Sequence, residues 1–150
     1  MRIVHIALVL ASLGLTTACQ GGAPAPTSAQ APAAQRPAKP IPDEEPGVTR
    51  QVREILLRQA DGSVAPGLFT ERARAALFPQ AAADLGARLR GYGALGELQL
   101  LARAVDGEDR QYRYRALYAG ATVLVEITFN KASRVGRLQV TPEQAVKENT

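Results

Sequence analysis

The run QYRYRALY places Tyr112, Tyr114 and Tyr118 on one side of the chain and Arg113 and Arg115 on the other, the period-two alternation of a half-buried strand. Phenols beside a carboxylic acid in an apolar pocket can polarise a carbonyl and stabilise an enolate, provided one acid acts as base or stays neutral as a donor. The residues that would line such a cavity are Tyr112, Tyr114, Val125, Ile127 and Phe129. An inward carboxylate is missing from this pattern. Glu126 falls opposite Val125 and Ile127, while Asp106, Glu108 and Asp109 lie in a turn. The same stripe also reads as core packing with hydroxyls at the rim.

Other chemistries are short of parts. His5 is the single histidine and Cys19 the single cysteine, and both fall outside the region that reads as folded. That region therefore lacks the groups for histidine acid/base catalysis, Ser-His-Asp and Cys-His arrangements, and ordinary zinc or haem ligation. Ser28, Ser63 and Ser133 are followed three residues later by Ala31, Pro66 and Gly136, so there is no Ser-x-x-Lys nucleophile, and no P-loop glycine motif occurs. The expectation is a domain with no catalytic residue, no metal and no cofactor.

Cys19 has a different meaning. MRIVHIALVLASLGL gives one positive charge and then an apolar run interrupted only by His5 and Ser12, the pattern of an export signal. As a helix the run spans roughly 20 Å, short of a ~30 Å hydrocarbon core. Thr16, Thr17 and Ala18 before Cys19 resemble the lipobox of bacterial lipoproteins, with Thr16 where an aliphatic residue is usual. The resemblance implies cleavage after Ala18, a diacylglycerol thioether on Cys19 and attachment to a membrane. Because Gln20 stands where an Asp commonly signals inner-membrane retention, it also implies the outer membrane, facing the periplasm. The other reading of Cys19 is a thiol without a role, which in an oxidising compartment could form only intermolecular disulfides.

From Gln20 to Gly47 the chain turns to Ala, Pro, Gly, Gln, Ser and Thr and holds seven of the ten prolines. Such a composition buries too little apolar area to offset its ordering entropy. Residues 19–47 thus read as a lipidated, disordered tether, with a reach between roughly 30 Å as a coil and about 85 Å as extended polyproline. Pro37 and Pro40 in QRPAKPIP also fit a PxxP ligand.

The folded region is expected over 48–142, with a disordered tail over 143–150. Val48, Val52, Ile55 and Leu56 recur at helical spacing, with Thr49 as N-cap and Gly62 as the stop. LFTERARAALFP gives a second helix, capped by Thr70 with Glu71 in its first turn and ended by Pro79. PQAAADLGARLRG gives a third, on which Ala82, Leu85 and Leu89 share a face and Gly86 is unfavourable. Four alternating segments follow. ELQLLARAVD sets Leu98, Leu100, Ala102 and Ala104 against Glu97, Gln99 and Arg103; the tyrosine strand and ATVLVEITFN come next, and RVGRLQVT carries a bulge at Gly136. Short polar connections favour an antiparallel meander. The layout is α+β, three N-terminal helices covering one face of a curved sheet of about four strands.

LFTERARAALFP, GALGELQLLARAV, QYRYRALY and VEITFNKASRVGRLQVTP resemble the cone-shaped nuclear transport factor 2-like superfamily, which includes SnoaL-like proteins and ketosteroid isomerase. They are more similar to the small non-catalytic domain attached to some serine hydrolases of the beta-lactamase family. The resemblance implies a cone-like fold, a possible small-molecule ligand between helices and sheet, and dimerisation through the sheet. The hydrolase itself is absent from the sequence.

The formal charge of +4 comes from scattered arginines interleaved with acids, so no nucleic-acid partner is expected. Arg103, Arg113 and Arg115 form a candidate interaction face with Leu117 and Leu124, where leucines among charges would suit a protein partner or a second copy. The alternative is an ordinary solvated face with cross-strand pairs to Glu97 or Glu126. The functional expectation is a membrane-anchored periplasmic lipoprotein whose domain binds without catalysing. The other is a pocket protein, or a SnoaL-like enzyme using a Tyr and a carboxylate.

Overall fold

The computed structural model describes residues 38–143. Cys19, the expected export signal, most of the expected tether and the last seven residues lie outside the described residues. The elements are α1 (Pro46–Asp61), a 3-10 turn (Pro66–Leu68), α2 (Glu71–Leu77), α3 (Gln80–Gly91), β1 (Leu95–Asp106), β2 (Asp109–Tyr118), β3 (Thr122–Phe129) and β4 (Val135–Pro142). The fold is α+β, with the helices N-terminal to a curved, open, antiparallel sheet in the order β1-β2-β3-β4.

α1 buries Val52, Ile55, Leu56 and Gln59, the i, i+3, i+4, i+7 stripe of an amphipathic helix. It starts earlier than its sequence suggests. Pro46 occupies the first turn, Glu45 stands at the cap position without a side-chain capping bond, and Thr49 lies inside the helix. The chain before α1 is also held, because the Ile41 amide donates to the Leu100 carbonyl at 2.8 Å. The end is as expected: Gly62, at φ 73°, returns its N–H to the carbonyls of Arg58 and Gln59, a left-handed conformation that glycine adopts without a Cβ clash.

Thr70 caps α2 by accepting from the Ala73 amide at 3.3 Å, with Glu71 in the first turn. Phe69 beneath it is buried and meets Phe78 edge-on at 5.3 Å. α3 buries Ala82, Leu85, Gly86 and Leu89. Gly86 has a packing reason to be there: a Cβ at this position would stand 2.5 Å from the Gln59 carbonyl oxygen of α1. Helix propensity is given up for close approach of two backbones.

The core lies between helices and sheet. β2 and β3 alternate as expected, with Tyr112, Tyr114 and Ala116 beside Val123, Val125, Ile127 and Phe129, all at most 3% exposed. The skip between Thr128↔Arg137 and Phe129↔Val135 leaves Gly136 as the extra residue of a bulge. A second bulge, on β1, is not expected from the alternation. Leu100 pairs with Tyr114 and Ala102 with Arg113, leaving Leu101 as the extra residue. One inserted residue exchanges the faces of everything beyond it. Ala102 and Ala104 are consequently exposed, and Arg103 joins Tyr112 on the helix-covered side of the sheet.

Candidate functional site

Two regions carry the residues singled out above: the outer face of the sheet, and the rim where β1 and β2 meet the start of α1.

At the rim the missing carboxylate is present. Glu45 Oε2 accepts from the Tyr112 hydroxyl at 2.8 Å and from Arg103 Nε at 2.5 Å. The Tyr112 bond is the main reason the Glu45 carboxyl sits below the usual carboxylate range; partial burial opposes the shift and Arg103 adds to it. Burial, then the bond to Glu45, raises the Tyr112 phenol. Next along the stripe, the Tyr114 and Thr49 hydroxyls lie 3.0 Å apart, and burial pushes the Tyr114 phenol up to about 12. Thr49 is thus a partner to a buried phenol, not a cap.

This cluster has a Tyr and a carboxylate, bonded directly to each other. The lowered carboxyl is not a neutral donor near neutrality, and its Oε2 already accepts from both Tyr112 and Arg103. The interior on its helix side is packed. The five residues expected to line a cavity are packed core: Tyr114 and Val125 are fully buried, Ile127 and Phe129 are 1% exposed and Tyr112 3%. Tyr112 stacks on Tyr114 at 6.3 Å and meets Phe129 edge-on at 6.1 Å. What sequence reasoning missed here was Glu45, which composition assigned to the tether. The acidic run Asp43, Glu44, Glu45 immediately before a helix-opening proline was the available signal.

The outer face is less basic than its sequence suggests. Arg103 is not on it. Arg113 donates through Nε and Nη2 to Glu126 Oε1 at 2.9 and 2.5 Å. Arg115 makes a two-point pair with Glu143 at 2.7 Å for each bond, which brings Glu143 into the folded unit. Leu117 and Leu124 are half-buried on this face. Because the bulge turns Ala102 and Ala104 outward, a shallow groove of about 330 Å³ runs over these small side chains between Gln111, Arg113, Thr128 and Arg137. Arg137 Nη2 donates to Gln139 at 2.6 Å and enters no ion pair among the described residues.

Among the described residues no three His, Cys, Asp or Glu side chains are grouped so as to hold a metal ion, and no helix is long and apolar enough to cross a membrane. The sequence matches no protein-family model and no curated protein.

Proposed function

We propose that the chain is a lipid-anchored envelope protein, tethered at Cys19 to the outer membrane and facing the periplasm, whose α+β domain is a non-catalytic binding module of the nuclear transport factor 2-like type. The observation that carries this reading is the filled interior. With Tyr112, Tyr114, Val125, Ile127 and Phe129 packed against the helices, the pocket usual for a small-molecule enzyme of this shape has no space, and recognition falls to the surface.

The outer sheet face is the surface best suited to it. The alanine-floored groove lies between a charged pair at Arg113–Glu126 and the singly hydrogen-bonded Arg137, with half-buried Leu117 and Leu124 further along. Apolar area rimmed by polar groups suits a protein partner or a second copy of the chain. The neutralised arginines speak against a polyanion.

Two measurements test the proposal. Cys19→Ser should move the protein from the membrane fraction to the soluble periplasm; persistence at the membrane defeats the anchor. A photo-reactive side chain at Ala104 should give a discrete cross-linked species in the envelope. Ala102→Arg should remove that species without lowering the thermal midpoint, and a cross-link indifferent to Ala102→Arg, or matched by one at Ala76 on α2, would overturn the outer-face assignment.

A further inference from the structure

A second concavity lies within the helix layer, away from the outer sheet face. It opens where the end of α1, the Val64 turn and the first half of α3 converge, with a volume of about 400 Å³, inside the range of small-molecule sites. Val64, Phe78 and Ala82 provide apolar walls, and two polar side chains bound it. Gln59 is 1% exposed; its Nε2 donates to the Ala82 carbonyl at 2.5 Å, and its Oε1 has no donor. Arg90 donates through Nη1 to the Ala60 carbonyl at 2.5 Å and enters no ion pair among the described residues. The glycine at 86 lets the α1 and α3 backbones approach closely beside this groove. A Cβ there would lie 2.5 Å from the Gln59 backbone carbonyl oxygen.

Each polar group points to a part of a ligand. A guanidinium pinned by one N–H keeps its others for a planar anion, and its fork matches a carboxylate. An enclosed amide oxygen without a donor is unfavourable, and a native structure that keeps one calls for an explanation. We infer that this groove binds an apolar amino-acid residue with a free carboxylate and an acylated nitrogen, either an N-acyl amino acid or the C-terminal residue of a peptide. The carboxylate sits on Arg90, the side chain against Val64, Phe78 and Ala82, and the N–H satisfies Gln59 Oε1. Because Oε1 is covered, that last contact forms as Gln59 shifts, and an acid without an N–H has no means of drawing it out.

The test is titration of the isotope-labelled full chain in detergent, read by amide NMR. N-acetyl-leucine should give saturable shifts at the Gln59 side-chain amide and the Ala82 and Gly86 backbone amides. Affinity should fall about tenfold or more for 4-methylpentanoate, which lacks the N–H, for N-acetyl-leucinamide, which lacks the carboxylate, and for Arg90→Gln. Ala83→Leu, a groove-filling change at an exposed position, should abolish the shifts while the rest of the spectrum is kept. Tighter binding of Gly-Gly-Leu than of N-acetyl-leucine identifies a peptide end as the source, and the reverse order identifies the free acid. No saturable shift up to about 10 mM, or binding indifferent to both Arg90→Gln and Ala83→Leu, would overturn the inference and leave the outer-face proposal untouched.

Discussion

The Tyr112 hydroxyl donates to Glu45 Oε2 at 2.8 Å, joining the middle of the sheet to the residue before the first helix across a sequence separation of 67. Tyr112→Phe should lower stability by about 1 kcal/mol, the usual net value of a hydrogen bond, measured as the urea midpoint near neutrality. The Glu45 carboxyl is held low, so its contribution is present above the ordinary carboxylate range and is lost as pH falls through the lowered pKa. The difference between Tyr112→Phe and the parent should therefore shrink on acidification, and a gap that stays constant to about pH 2 would break the link.

At the alkaline end the sign reverses. Burial pushes both the Tyr114 and Tyr118 phenols up to about 12. In the unfolded chain they ionise near 10, so stability is full below that value and falls as pH rises from about 10 to about 12. Ultraviolet titration should show these two tyrosines ionising late, together with unfolding, and their ionisation near 10 in the folded protein would contradict the burial.

Thr49 and Tyr114 form a pair that a double-mutant cycle can resolve. Thr49→Val should cost about 1–3 kcal/mol because it leaves a buried phenol without a partner. Adding Tyr114→Phe should recover most of that loss. Additive costs would mean the hydroxyls are not coupled.

Two glycines of α3 should answer alanine in opposite ways. At Gly91 a Cβ meets nothing within 4 Å, so Gly91→Ala should be neutral or stabilise by about 0.5–1 kcal/mol. At Gly86 it meets the Gln59 carbonyl at 2.5 Å, and Gly86→Ala should destabilise by about 1–3 kcal/mol, as overpacking does. Thermal midpoints that move together would contradict the contact between α1 and α3.

Most of the fold was legible because it rests on local signals. The buried stripe of α1, the Thr70 cap, the Gly62 stop, the alternation of β2 and β3 and the Gly136 bulge are all written in neighbouring residues. β1 was misread because a bulge changes which face every later residue takes, and the consecutive apolar pair Leu100–Leu101 was its only local trace. Arg103 changed faces for that reason alone. The Glu45 contacts were hidden differently, since composition describes a segment's average and says nothing of one carboxylate at its end. Arg115–Glu143 and Gln59–Ala82 are tertiary meetings that no spacing rule predicts.

The segment running into α1 also determines how the domain would carry a mechanical load. A pull applied through the chain upstream of residue 38 first meets the Ile41–Leu100 backbone bond, then the Glu45 carboxylate gripped by Arg103 and Tyr112. These contacts lie ahead of the first helical turn and anchor on β1 and β2, which are zipped together over the full length of β2. The sheet would take the strain before α1 began to unwind, and the helix layer with its groove would stay intact until that clasp gave way.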